Sequence, residues 1–494
     1  MKILLTCAEM TPFTGRSRTA DTVSALATSL GNRGHQVTIM MPKYGSMDLG
    51  TIEWRRKRIR LTLNIKGKAV QGGVLDGTLT NGATVTLFEQ PTYFDRKGVF
   101  GADGKDFSDN DERFSFFCRA VLETCRLTNY APDVIHCFDW PTGAVPLLLQ
   151  TEYRDFPELN STGTVFTLFH LRDKGLFPPE TMMTLGLPWS LFTPSMVEHY
   201  GEVSLLKAGI AFTDKITTTS QRYAKCIRTA KFGMGFEDLL QERAADLKGI
   251  LNGADHHGLD PAQDSTISAS FGPQNTKGKE ICKTDLQARV GLSAHPHIPV
   301  IVCLSALSRE QGLHFWLRNK DAILSENAQW IFFGQGQGDP KMQEEFAGIA
   351  REHPTRLVLR EVADEEWTRR ALSGADLFWR STLDESFDSL TLTAMRYGAV
   401  PIVHAVGSLD DVVENVAEGE GTGFKFDDAY GTEPAEVVHR ALDLYTKKIL
   451  WNRLVETVMV QDFSWERPTR QYETLYQEVQ EMRVCKQSPD APPV

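Results

Sequence analysis

The strongest constraint on this chain is a pattern that occurs twice: a short apolar run, a turn, an amphipathic helix and a second apolar run. At the start, Ile3 to Cys7 is the first run, and Pro12 and Gly15 mark the turn. Val23, Leu26, Ala27 and Leu30 then share one helical face, Gly34 closes the helix, and Gln36 to Met41 is the second run. A strand–helix–strand unit this short predicts parallel strands joined by a right-handed crossover. The pattern restarts after Pro299 with Val300 to Leu304 and a helix carrying Leu313, Phe315, Trp316 and Leu317. Trp330 to Phe333 follows, ending in the glycine-rich run Gly334 to Gly338. Strands at Arg356 to Leu359, Ala375 to Trp379 and Pro401 to His404 then alternate with helices around Trp367 to Leu372 and Leu392 to Tyr397. The fold class is α/β, with two Rossmann-like doubly wound domains that place ligands at the carboxyl ends of their strands, in the cleft between them.

Between the halves, from Pro261 to Pro299, polarity rises and periodicity fades. Residues 1–258 form the expected first domain, 259–298 a linker or hinge, 299–470 the second domain, and 471–494 a helix end and tail. Inside the linker, Lys279 to Val290 reads as a helix with Ile281, Leu286 and Val290 inward. Residues 486–494 are polar and proline-rich and are expected to be disordered.

Composition narrows the class. With 41% hydrophobic and 24% charged residues, the chain is an ordinary globular one. A net charge of −11 argues against a surface built for nucleic acid or anionic lipid. The eight cysteines are scattered, without a CxxC pair or zinc spacing, so free thiols in a reduced cytoplasm are expected and no metal is. The first apolar run stops at Glu9, unlike a signal peptide, and no uncharged stretch approaches the ~20 residues of a membrane span.

Several blocks in order carry a resemblance. They are AEMTPF (Ala8 to Phe13) with Ala20-Asp21, PDVIHCFDWPTG (Pro132 to Gly143), FTLFHLRDKGLFP (Phe166 to Pro178) and LKAGIAFTDKITTTS (Leu206 to Ser220). FGMGFEDLL (Phe232 to Leu240), ILNGAD (Ile250 to Asp255), AMRYGAVPIV (Ala394 to Val403), GTGFKFDDA (Gly421 to Ala429) and QDFSWER (Gln461 to Arg467) continue them. In number and order these blocks resemble bacterial glycogen and starch synthases. The resemblance implies a GT-B fold whose C-terminal helix crosses back to the first domain. It also implies metal-free transfer of glucose from ADP-glucose or UDP-glucose to an α-1,4-glucan with retention of configuration. Such chemistry needs cations and backbone N–H groups for the diphosphate leaving group, and carboxylates for an oxocarbenium-like sugar.

Most of the positions to which the resemblance assigns these tasks hold other residues. The family's KTGGL loop is Gly15-Arg16-Ser17-Arg18-Thr19 here, with Gly15 in place of the lysine and side chains at Ser17 and Arg18 in place of glycines. The sugar-contacting histidine is Phe169, with His170 beside it. The arginine and lysine that grip the diphosphate are Ala306 and Gln311. In the EPCGLTQ block only Glu385 survives, as the candidate catalytic carboxylate. Ser386, Phe387 and Asp388 follow it, and the last two are expected to add bulk and negative charge where a diphosphate lies. Downstream, TGGL becomes Val406-Gly407-Ser408-Leu409. Glu9, Asp21 and Asp139 match family cleft residues, and Phe138 and Pro141 replace the histidines that flank Asp139.

Three readings follow. The first is a glycogen synthase homologue that has lost most or all transfer, does not hold ADP-glucose, and serves as a glucan-binding or regulatory protein. A protein partner from glycogen metabolism is compatible with it. The second is an active transferase with an altered donor pocket, in which Arg16, Arg18 or Arg309 supplies the missing charge. The third is a module for another glycan, using Trp316 or Trp451 as stacking platforms, although both sit in helical patterns that favour packing in a core.

Overall fold

A computed structural model of the chain describes residues 1–487 apart from 16, 51, 255–258, 335–337, 361–363, 384–386, 418 and 428–430. It resolves into two compact units, Met1–Asn252 with Trp465–Val494, and Gly253–Ser464.

In the first unit, seven strands run parallel. Their spatial order is Leu247–Gly249, Lys215–Thr218, Gly163–Thr167, Val134–Phe138, Lys2–Thr6, Gln36–Pro42 and Thr84–Glu89. Counted along the chain this is 7-6-5-4-1-2-3, the doubly wound order, which reverses between the first and fourth strands. Lys68–Thr78 adds antiparallel to Thr84–Glu89, and Arg55–Arg56 and Leu61–Ile65 add antiparallel to Lys68–Thr78. The opening helix runs Arg18–Asn32 with its expected face buried. Ser17 starts it: its hydroxyl accepts a hydrogen bond from the Ala20 N–H at 3.1 Å and satisfies one of the orphan donors of the first turn.

The last helix, Glu466–Gln487, belongs to this unit. It buries Tyr472, Leu475, Tyr476 and Val479 in the same cluster as Ile3, Leu5 and Leu26. Polar groups fix its register. Tyr476 Oη lies 2.7 Å from His136 Nδ1, and His136 Nε2 lies 2.6 Å from Thr167 Oγ1. Arg483 Nε donates to Asp214 at 2.9 Å, and Arg33 pairs with Glu466 and Glu473 at 3.0 and 2.8 Å. Burial keeps His136 neutral, with its pKa pushed down to about 3.

The second unit holds one six-stranded parallel sheet. Its order is Leu357–Arg360, Gln329–Gly334, Val300–Ser305, Leu377–Arg380, Val400–His404 and Phe424–Phe426, or 3-2-1-4-5-6 along the chain. Residues 259–298, expected as a linker, fold with this unit and carry the helix Lys277–Val290. Leu286 and Val290 face inward as expected, but Ile281 is exposed. Two lysines take the inward side instead. Lys279 Nζ donates to the carbonyls of Ser373 and Tyr397 at 3.1 and 2.7 Å, and Lys283 Nζ pairs with Asp376 at 2.7 Å. Trp316 and Trp451 are buried, Trp316 against Trp330, Phe332 and Phe346, and Trp451 against Tyr445. Neither presents a face to a sugar, which removes the third reading's platforms. Among the described residues no helix is long and apolar enough to cross a membrane.

Tyr476→Phe leaves a buried imidazole nitrogen without its partner. It is expected to lower stability by about 1–3 kcal/mol, read from urea unfolding at neutral pH.

Candidate functional site

In a doubly wound sheet the loops at the carboxyl ends of the first and fourth strands diverge and leave a crevice. In the first unit those loops carry Glu9 and Asp139. Asp139 has a left-handed backbone, φ 56°, just past Val134–Phe138. Three contacts hold it there: its N–H donates to Thr167 O at 2.9 Å, Oδ1 accepts from Phe169 N–H at 3.0 Å, and Oδ2 accepts from Thr19 Oγ1 at 3.1 Å. Burial raises its pKa, an effect opposed first by the His170 charge. Glu9 is pushed up to about 7, first by burial; the Ser17 hydroxyl works against that shift and the Asp139 charge adds to it. Neither carboxylate has an ammonium or guanidinium partner among the described residues. Asp21, in the first turn of the opening helix, accepts from Thr11 Oγ1 at 2.8 Å.

Beside Glu9 is an open concavity of about 620 Å³, lined among others by Phe13, Thr14, Gly15, Asp48 and Phe100. Among the described residues its lining includes two carboxylates, Glu9 and Asp48, and no cation. Gly15, at φ 81°, has open space where a Cβ would point. Arg16 lies outside the described residues.

Phe169 is turned into the core, 1% exposed, its ring 6.4 Å from that of Phe138 at an interplanar angle of 16°. The two phenylalanines pack together in one apolar cluster with Cys7, Met10 and Phe13. His170 points away from that core, with Nε2 3.5 Å from Asp173 Oδ2.

In the second unit the order reverses between Val300–Ser305 and Leu377–Arg380. Ala306 and Gln311 belong to the loop after the first of these strands, and Gly312 starts the helix Leu313–Arg318. Gly312 adopts φ 69°, and a Cβ there would fall 1.7 Å from the Ser381 carbonyl oxygen. Only glycine allows this approach of two backbones. The Ser381 hydroxyl donates to the Gln311 carbonyl at 3.0 Å and closes the same junction.

Asp388 does not point its charge outward, contrary to the expectation from sequence. Its carboxylate lies inside, 3.0 Å from Arg380 Nε, and accepts from the Thr391 hydroxyl at 2.6 Å. It also caps the helix Ser389–Arg396 through the Leu390 N–H. Its own N–H donates to Ser408 Oγ at 3.1 Å, and Ser408 is itself buried. Asp388 thus links Arg380, Thr391 and Ser408, and Phe387 beside it is half-buried. Glu385 and Ser386 lie outside the described residues. Sequence reasoning missed Arg380 and Thr19. Arg380 left a signal, a cation ending an otherwise apolar strand.

A profile of the starch synthase catalytic domain matches residues 2–242, and one of group 1 glycosyl transferases matches 298–446. The glycogen synthase of Anaeromyxobacter dehalogenans (strain 2CP-1 / ATCC BAA-258) is 37% identical over 96% of this chain and 98% of its own. That of Koribacter versatilis (strain Ellin345) is 33% identical over 98% and 99%. The chain belongs to the glycogen synthase family. Among solved structures, the catalytic domain of starch synthase IV from Arabidopsis thaliana, bound to ADP and acarbose, matches at TM-score 0.83. It shares 29% identity and covers 97% of this chain and 99% of that one. Sucrose-phosphate synthase from Thermosynechococcus elongatus, at 14% identity and TM-score 0.57, shares the fold alone. The fold is therefore GT-B, as the sequence blocks implied. Of the positions singled out in the sequence, Ser17 is a helix cap, Phe169 is core, and Asp388 bonds to Ser408.

Asp388→Ala removes the buried carboxylate paired with Arg380 and is expected to cost about 3–5 kcal/mol. Arg380→Met in the same protein should return most of it, as measured by urea unfolding. A second expectation concerns pH. The raised Glu9 pKa means that the folded state binds its proton more tightly than the unfolded one. That contribution is full below about 4.5 and is lost as pH rises through about 7. Glu9→Gln should therefore raise stability by about 1–3 kcal/mol at pH 8, a gain that shrinks toward pH 4.5, read as the difference in Tm between variant and parent.

Proposed function

We propose that this glycogen synthase family member binds α-glucan but no longer transfers glucose from a sugar nucleotide, and that it acts as a non-catalytic regulatory protein of glycogen or starch metabolism. One observation carries the reading. The residues standing at the family's ligand-contact positions spend their bonding capacity on the protein itself, most clearly in the Asp388–Arg380–Ser408–Thr391 network. Gly15, Phe169, Ala306 and Gln311 add a second support. The family resemblance assigns cations or a histidine to these four, and each oriented group of that kind commonly supplies about 2.7–4 kcal/mol of transition-state stabilisation. With Gly15, Ala306 and Gln311 the diphosphate loses three positive charges. With Phe169 the sugar loses its imidazole.

Glucan binding rests on different features. Its contacts are hydroxyl-directed and need carboxylates, hydroxyls and apolar faces rather than cations. The concavity beside Glu9 offers Glu9, Asp48, Thr14, Phe13 and Phe100. Such a lining suits a neutral polyol better than a diphosphate.

The test is transfer of labelled glucose from ADP-glucose, and separately from UDP-glucose, into glycogen, with Glu385→Ala protein as the matched control. Incorporation equal to the control, together with co-sedimentation of the protein with glycogen, is the expected result. Incorporation that disappears in the control establishes an active transferase with an altered donor pocket and overturns the proposal. A saturable calorimetric titration with ADP-glucose also counts against it.

A further inference from the structure

Arg55, Arg56, Lys57, Arg58 and Arg60 concentrate positive charge in one short stretch of a chain whose net charge is −11. The fold places them on the outer edge of the first unit's sheet. Arg55–Arg56 is the terminal strand, antiparallel to Lys68–Thr78, and no described strand pairs with its other side. Leu61–Ile65 pairs with the same strand and prolongs this edge; Leu61, Leu63 and Ile65 are buried while Thr62 and Asn64 face out. The edge is thus anchored by its apolar residues and decorated with cations.

Some of these cations have local partners. Arg56 pairs with Glu89, and Lys57 Nζ lies 2.9 Å from Asp76. Arg55 meets Glu53 at 3.1 Å, but both side chains are 77% exposed, and such a pair holds only about 0–1 kcal/mol against a competing anion. Arg58 and Arg60 are exposed and have no ion pair or hydrogen bond among the described residues. Trp54 and Ile59, both half-buried, add apolar surface along the same stretch.

An unpaired strand edge is a template for another strand, and charge along it decides which strand is admitted. Like charges repel a second copy of this edge, whereas an acidic strand neutralises it. We propose that this edge docks an extended acidic segment of a partner polypeptide by strand addition, with Arg58 and Arg60 pairing with its carboxylates. Nucleic acid or an anionic membrane would meet the same cations without using the strand's backbone groups. The proposal holds whether or not glucose transfer survives.

The full chain is titrated by fluorescence anisotropy with a short fluorescein-labelled peptide of alternating Glu and Val at low salt. Saturable binding is expected, weakened at least about tenfold by Arg58→Glu with Arg60→Glu. Both positions are exposed, so an unchanged Tm confirms that the variant folds. Binding should also be lost when alternate backbone amides of the peptide are N-methylated, because strand addition needs them. Three outcomes overturn the proposal: no saturable binding, equal binding of the N-methylated peptide, or tighter binding of a single-stranded oligonucleotide or phosphatidylserine vesicles than of the peptide.

Discussion

A charge taken out of water must find its counterpart inside the protein, and much of this structure follows from how that demand is met. Lys283 answers Asp376, whose carboxylate also accepts the Val300 N–H at 2.8 Å and so fixes the start of the second unit's central strand. Arg483 answers Asp214, which accepts from the Thr164 N–H at 2.9 Å and ties the last helix to the first sheet. Lys279 donates to two carbonyls and lies over the face of Phe271, and burial pulls its pKa down to about 8. Each of these groups joins segments far apart in sequence. The long-range architecture therefore depends on a handful of polar contacts laid over an apolar core.

The same demand explains the state of the strand-end loops. A ligand site keeps some polar atoms unsatisfied until the ligand arrives. At Asp388 the carboxylate is engaged from within, by the Arg380 guanidinium and the Thr391 hydroxyl, while its N–H donates to Ser408. At Phe169 the solution is apolar, with Phe138 and Phe169 packing as a pair. Glu9 and Asp139, both half-buried, have no ammonium or guanidinium partner among the described residues, and burial raises the pKa of each. Such carboxyl groups can still bind sugar hydroxyls, donating when protonated and accepting when not.

The alternation of apolar runs with amphipathic segments made the first two parallel strands of the first unit and five strands of the second unit's sheet legible from the sequence, to within a residue or two at their ends, because period and turn chemistry are local properties; the other strands were not read from it. The orientation of particular side chains was not legible. Asp388 read as a charge added to a ligand loop because its partner Arg380 is brought to it only by the turn after the strand. In Lys277–Val290, hydropathy favours Ile281 as an inward residue, yet Lys279 and Lys283 take that side because carbonyls and Asp376 await them in the second unit. A long lysine stem packs like an apolar residue once its ammonium is satisfied. Trp316 failed as an exposed platform for the reverse reason, since its neighbours Trp330 and Phe346 come from segments that a local reading does not join to it.

Framework motifs and active-site motifs obey separable constraints. Gly312 is required by the Ser381 backbone, and Gly209 by the Phe166 ring, 2.4 Å from where its Cβ would stand. Neither needs a substrate to explain it. Blocks that contain such residues report the GT-B fold with high fidelity while carrying little information about turnover. The positions that speak to chemistry are those whose polar atoms the fold itself does not use. In this chain Asp388 and Ser408 take part in the fold's own bonding, and Phe169 in its core. A side chain that finds its partner inside the protein stabilises its loop without any ligand, so such positions report packing rather than turnover.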